Sequence, residues 1–216
     1  MGSAFELFLF SLALGYKLKV LQIEKIEAIE NLNRELESKI IEHTQALKDS
    51  NQKLRRLSVT DQLTNLYNRR GIDTLLEKSY IEFTKENMRF GIILLDIDYF
   101  KRINDKYGHD IGDYVLRQIA QTLAKGIEEH HYLGRWGGEE FLIIASHDDL
   151  SSLSNLAQKL RANIEALALK GIESVTASFG VAMIDSTKNT AQVVKEADNN
   201  LYQAKKEGRN RVVPEI

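Results

Sequence analysis

The 216-residue chain has no cysteine and a single proline. Without a thiol there is no disulfide, no cysteine-ligated zinc and no thiol nucleophile, so any metal must sit on oxygen or histidine. Thirteen glycines and one proline rule out collagen-like and low-complexity classes, and 43% hydrophobic residues rule out a disordered chain. A formal charge of −2 supplies no basic field of the kind that tracks a polynucleotide backbone, so a nucleic acid polymer is not an expected partner. No apolar run reaches the ~20 residues of a spanning helix. The stretch Ala4 to Tyr16 has only 13 residues and includes Glu6. It also lacks the positive leading region and small-residue cleavage site of a secretory signal. Followed by Lys17 and Lys19, residues 1–16 read either as the cytoplasmic end of a transmembrane helix or as the plain end of an amphipathic one.

From Lys17 to Leu57 there is neither glycine nor proline, and Leu and Ile recur at helical spacing among charges of both signs. With Ile26 at a heptad a position, the a series is Ile26, Asn33, Ile40, Leu47 and Leu54, and the d series is Ile29, Leu36, His43, Ser50 and Leu57. Seven of these ten positions are apolar, which predicts a parallel two-stranded coiled coil over 17–57 with Asn33 fixing its register. A helix of about 40 residues would be roughly 60 Å long, beyond the diameter of a small domain.

Residues 58–216 alternate helical and strand-like segments and read as one mixed α/β domain. The pattern predicts helices over 69–85, 111–125, 152–168 and 191–207. Strands are expected over 90–97, 131–136, 140–145 and 173–184, with Gly137-Gly138 as a tight hairpin turn. Asp96 and Asp98 end the apolar strand on one face, where a hard divalent cation would relieve their repulsion. Glu139 and Glu140 follow the two glycines, which allow close approach to a ligand. Each pair alone also fits a solvated strand end or a decorated hairpin. Two carboxylate pairs on neighbouring strands are how a nucleotidyl-transfer site holds metal ions against a triphosphate. Lys205 and Arg209 share a helix face that suits phosphate as well as the helix C-terminus, and Lys101 follows Asp98 by three residues.

Four ordered segments carry a family resemblance. Residues 135–141 (RWGGEEF) resemble the signature loop of the GGDEF family of diguanylate cyclases, in a GGEEF variant. Residues 61–70 (DQLTNLYNRR) look like its opening motif, 95–113 (LDIDYFKRINDKYGHDIGD) like its metal and guanine segment, and 197–210 (ADNNLYQAKKEGRN) like its closing helix. The resemblance implies a palm-like α/β (α+β) domain with a mixed central sheet flanked by helices. It implies Mg²⁺-dependent condensation of two GTP into cyclic di-GMP, with Mn²⁺ as an alternative metal, each subunit of a homodimer presenting one GTP to the other. Asp96, the Ile97 carbonyl, Glu139 and Glu140 would be the metal ligands, and Glu139, Glu140 and Lys101 the catalytic groups. Asn104 and Asp113 would read the guanine edge, with His109 and Leu116 beside it, and Gly138 would be a further substrate-binding residue. The amides of Tyr99 and Phe100, with Lys101, Lys205 and Arg209, would hold the triphosphate. A carboxylate at Asp113 accepts from guanine N1–H and its exocyclic amine, donors that adenine lacks there.

One departure stands out. At the positions of the family's Arg-x-x-Asp product-inhibition motif the sequence has Glu128 and His131, so that inhibitory site is expected to be absent. The stalk and the apolar start lead to the further expectation of a sensor or membrane segment upstream, which would tether the domain to the cytoplasmic side of the inner membrane. The alternative is an inactive GTP-binding module that acts through dimerisation.

Overall fold

A computed structural model describes residues 59–146, 149–169 and 171–214, together with 11–12, 15, 17–22, 25, 32–37, 39–45 and 48. It falls into two compact units, Met1–Leu54 and Arg55–Ile216. The described stretches of the first are helical, and Lys39 pairs with Glu35 one turn away at 2.8 Å. Of the ten heptad positions, Asn33, Leu36, Ile40 and His43 are helical, with Leu36 and Ile40 exposed. Ile26, Ile29, Leu47, Ser50, Leu54 and Leu57 lie outside the described residues, as does most of the apolar start. Among the described residues no helix is long and apolar enough to cross a membrane.

The second unit is built from α1 (Arg69–Glu86), β1 (Gly91–Ile97), α2 (Phe100–Tyr107), α3 (His109–Gly126), β2 (Tyr132–Arg135), β3 (Glu140–Ala145), α4 (Leu150–Glu165), β4 (Ala177–Met183), α5 (Thr190–Lys206) and β5 (Val212–Val213). The strands form one mixed sheet in the order β2-β3-β1-β4-β5. Only the β4–β5 pair is parallel. β1 is buried throughout, because helices cover both faces of the sheet. Ile93 and Leu95 pack with α3 and α4, and Ile92 and Leu94 with α1 and α5. Helix starts follow their capping chemistry: Asn68 accepts from the Gly71 N–H, Asp149 from that of Ser152, and Asn189 forms a capping box with Gln192.

Two local expectations need correction and one element is added. Phe100–Tyr107, for which no element was expected, is an eight-residue helix entered from Tyr99 in the left-handed region (φ 56°), with Phe100 and Ile103 buried. The strand expected over 173–184 narrows to Ala177–Met183. The β2–β3 connection is a four-residue turn in which the Trp136 and Gly137 N–H groups both donate to the Glu140 carbonyl. Neither glycine there has a positive φ, so the tight primed turn is not formed.

Candidate active site

The end of β1 concentrates carboxylates. Asp96 lies directly opposite Glu140 in the antiparallel β1–β3 ladder, so the two side chains share a face. Glu139 comes to the same place because its carbonyl accepts from the Ile97 N–H (3.3 Å). Burial raises the pKa of Asp96, and the charge of Asp98 adds to that against the opposing pull of the Lys205 ammonium. Burial and then the charge of Asp96 raise Glu139 and Glu140 as well. Three acids that resist ionising side by side form a locus short of positive charge.

Lys205 supplies part of that charge: its Nζ lies 2.8 Å from Asp96 Oδ2. An ammonium drawn onto the carboxylate is a stand-in for a cation, and the donor set is oxygen only. These residues therefore fit a hard divalent ion. Asp98, by contrast, is committed to holding the fold together. Its carboxylate accepts from Thr176 Oγ1 and Ser178 Oγ (both 2.7 Å) and from the Asn210 N–H (3.0 Å). The expectation of an open Asp96–Asp98 metal pair is corrected accordingly. Asp98 instead binds the turn after α5 to the end of β1. That turn carries Arg209, whose guanidinium lies over the Tyr99 ring at 4.5 Å and donates to its hydroxyl.

α2 starts at Phe100 with no side-chain cap, so the first N–H groups of that helix face the carboxylate end of the sheet as an anion-favouring terminus. The Phe100 side chain itself is in the core, and Lys101 is exposed. Asn104 packs against α3 at Gly112, where an added Cβ would collide with Asn104 Oδ1 and force that side chain to move. Asp113 and His109 lie exposed on the first turns of α3. Leu116, one turn on from Asp113, is 2% exposed and packs in the core. A cleft of about 520 Å³ between α1 and α5, lined by Arg69, Leu76, Trp136 and Val194, reaches Glu140 but neither Asn104 nor Asp113. Asn104 and Asp113, expected to read the base, thus lie outside that cleft, on α2 and α3.

A positioning pair escaped the sequence reading. Arg135 Nε and Nη2 donate to the Gly138 carbonyl (3.0 and 2.7 Å), while its Nη1 donates to both oxygens of Asp61. Asp61 also accepts from the Thr64 N–H and hydroxyl. Burial opposes ionisation of Asp61, but these hydrogen bonds and the Arg135 charge prevail and lower its pKa. A signal was present: both residues sit inside the quoted motifs. Gly137 is crowded by Glu140 Oε2, whereas a Cβ on Gly138 would meet nothing within 4 Å. The protein's own packing makes no demand for glycine at 138. Glu128 and His131 close a turn between α3 and β2, with the His131 N–H donating to the Glu128 carbonyl at 3.0 Å.

Residues 58–211 match the family described as "Diguanylate cyclase, GGDEF domain". The chain is 36% identical over 189 residues to the diguanylate cyclase VdcA of Vibrio cholerae serotype O1, an alignment covering 85% of this chain and 54% of VdcA. The chain thus spans about half the length of that relative. Among solved structures, it is similar to the coiled coil and GGDEF domain of DgcB from Caulobacter crescentus in complex with c-di-GMP. The TM-score is 0.76 at 30% identity, covering 82% of this chain and 97% of that one. It also resembles the active GGEEF domain of a diguanylate cyclase from Vibrio cholerae. There the TM-score is 0.64 at 32% identity, over 67% of this chain and 94% of that one.

Proposed function

Since the chain belongs to the GGDEF family of diguanylate cyclases, we propose that it condenses two GTP into cyclic di-GMP, releasing two pyrophosphates. The observation that carries this reading is the carboxylate cluster at the sheet end, where Asp96 opposes Glu140, Glu139 hydrogen-bonds to Ile97, and a lysine ammonium has been drawn in.

The 3′-hydroxyl oxygen of one GTP attacks the α-phosphorus of the other. A new P–O bond forms, the bond to pyrophosphate breaks, and the Glu139 carboxylate takes the hydroxyl proton, with Glu140 beside it. The reciprocal attack closes the ring. A divalent cation, Mg²⁺ or in its place Mn²⁺, would be held by Asp96, Glu139, the Ile97 carbonyl and Glu140, and supplies neutralisation of developing phosphate charge when bound. The Tyr99 and Phe100 amides, Lys101, Lys205 and Arg209 grip the triphosphate, Lys205 exchanging its carboxylate partner for phosphate oxygens. Asn104 and Asp113 select guanine, with His109 and Leu116 alongside, and Gly138 contacts the substrate through its backbone.

Each copy presents one GTP, so two copies complete the reaction. The stalk over 17–57 pairs them in a homodimer and sets how the half-sites meet, under an upstream sensor or membrane segment that tethers the domain at the cytoplasmic face of the inner membrane. The test is incubation of the purified chain with GTP and Mg²⁺ and chromatography for cyclic di-GMP, beside Glu139→Ala. Product from the wild type alone is expected. GTP binding without product from either protein would instead indicate a binding module acting through dimerisation, or a cyclase whose stalk holds the half-sites apart.

A further inference from the structure

The turn between α3 and β2 carries ligand chemistry that the GTP site does not use. Glu128, His130 and His131 each offer one ligand atom there, and all three atoms lie within 4.8 Å of one another. His131 is the fixed member: it is 6% exposed, its ring sits edge-on to that of His130 at 4.4 Å, and its N–H is tied to the Glu128 carbonyl. Glu128 and His130 are the adjustable members, with side chains 71% and 56% exposed and Nδ1 of His130 already 3.6 Å from Glu128 Oε2.

We propose that Glu128, His130 and His131 form a binding site for a borderline divalent transition ion of the zinc type. Tetrahedral coordination at bonds of ~2.0–2.2 Å brings ligand atoms to roughly 3.3 Å from one another. The remaining closure of about 1–1.5 Å from the present 4.8 Å limit is within reach of two exposed side chains turning toward a buried one. Two imidazoles and one carboxylate are the donor set that favours zinc, cobalt or nickel over magnesium, which takes oxygen ligands. Three protein ligands leave a fourth position to water, an open site in form. Its place in the fold gives it a mechanical consequence: the ion would fasten the end of α3 to the start of β2, the strand that runs into the Trp136–Glu139 turn.

The test uses the untagged 216-residue chain in excess Mg²⁺, titrated with Co²⁺ and followed by its visible absorption bands. It needs no turnover, so its failure and failure of the cyclase reading are separate events. The expected result is saturation at one equivalent with the intense bands of a tetrahedral centre, weakened at least ~10-fold by His130→Ala and by Glu128→Gln, and unchanged by Asp96→Asn. Both weakening variants alter exposed side chains, so an unchanged melting temperature without metal shows that the fold is intact. No saturable binding, equal binding by His130→Ala, or loss on Asp96→Asn in place of His130→Ala would overturn the assignment.

Discussion

Replacing Asp61 with asparagine separates two functions of Arg135. In the wild type, the guanidinium has two acceptors, the Gly138 carbonyl and the Asp61 carboxylate, with Arg135 and Asp61 side chains only 18% and 21% exposed. Asp61→Asn keeps an oxygen for Thr64 and removes the countercharge. Charge-assisted hydrogen bonds are worth ~1.5–3 kcal/mol, and partial screening reduces the expected loss to about 1–2 kcal/mol. For a domain of this size that is a fall in Tm of roughly 2–8 °C. The folded pKa of Asp61 is depressed, so its stabilisation is present above its ordinary value of 3.8 and fades as pH falls through the lower folded value. The difference in Tm between variant and wild type should therefore be full at pH 7 and shrink in acid. Loosening the turn displaces Glu139, and a shift of ~1 Å in a catalytic group costs up to about 100-fold in kcat. The loss should fall more on kcat than on KM for GTP, because Asn104, Asp113, Lys101 and Lys205 lie on other elements. Calorimetry and steady-state kinetics read both effects. The same loss of Tm with an unaltered kcat would refute the view that the Asp61–Arg135 pair positions the catalytic turn.

Gly138→Ala should melt like the wild type, since its Cβ meets no atom within 4 Å, yet lose cyclic di-GMP production; a matching loss of stability would assign the glycine to the fold. Gly112→Ala pushes Asn104 off α3 and should raise KM for GTP and weaken discrimination against ATP, with an unaltered KM counting against the base-reading role. Glu139→Gln should abolish product in Mg²⁺ and, with the metal removed by EDTA at pH 7, melt no lower than the wild type. The raised pKa of Glu139 means its ionised form opposes folding, so any gain should narrow as pH falls toward the ordinary value of 4.5. Product inhibition should be weak, because Glu128 cannot donate a guanidinium fork to product phosphates; tight binding of cyclic di-GMP outside the active site that Glu128→Ala removes would contradict it.

Elements whose partners are generic were legible in the sequence. β1 needed only to be apolar enough for burial on both faces, and α1, α3, α4 and α5 only an apolar stripe. What periodicity could not deliver depends on atoms far along the chain. Strand alternation places Asp98 beside Asp96, but its acceptors are filled by Thr176, Ser178 and Asn210, 78, 80 and 112 residues away. Asp61 and Arg135 are 74 residues apart, and neither residue type announces the other. α2 follows β1 after only Asp98 and Tyr99, the left-handed Tyr99 making the turn, so its first apolar residue, Phe100, reads in the sequence as a continuation of the strand's apolar run.

The central claim is that two GTP are joined at this carboxylate cluster with loss of both pyrophosphates. Its most direct test counts pyrophosphate released per cyclic di-GMP formed by the purified chain with GTP and Mg²⁺. The account predicts two, with neither product from Glu139→Ala. Pyrophosphate released without cyclic dinucleotide, or equal output from the variant, would contradict it.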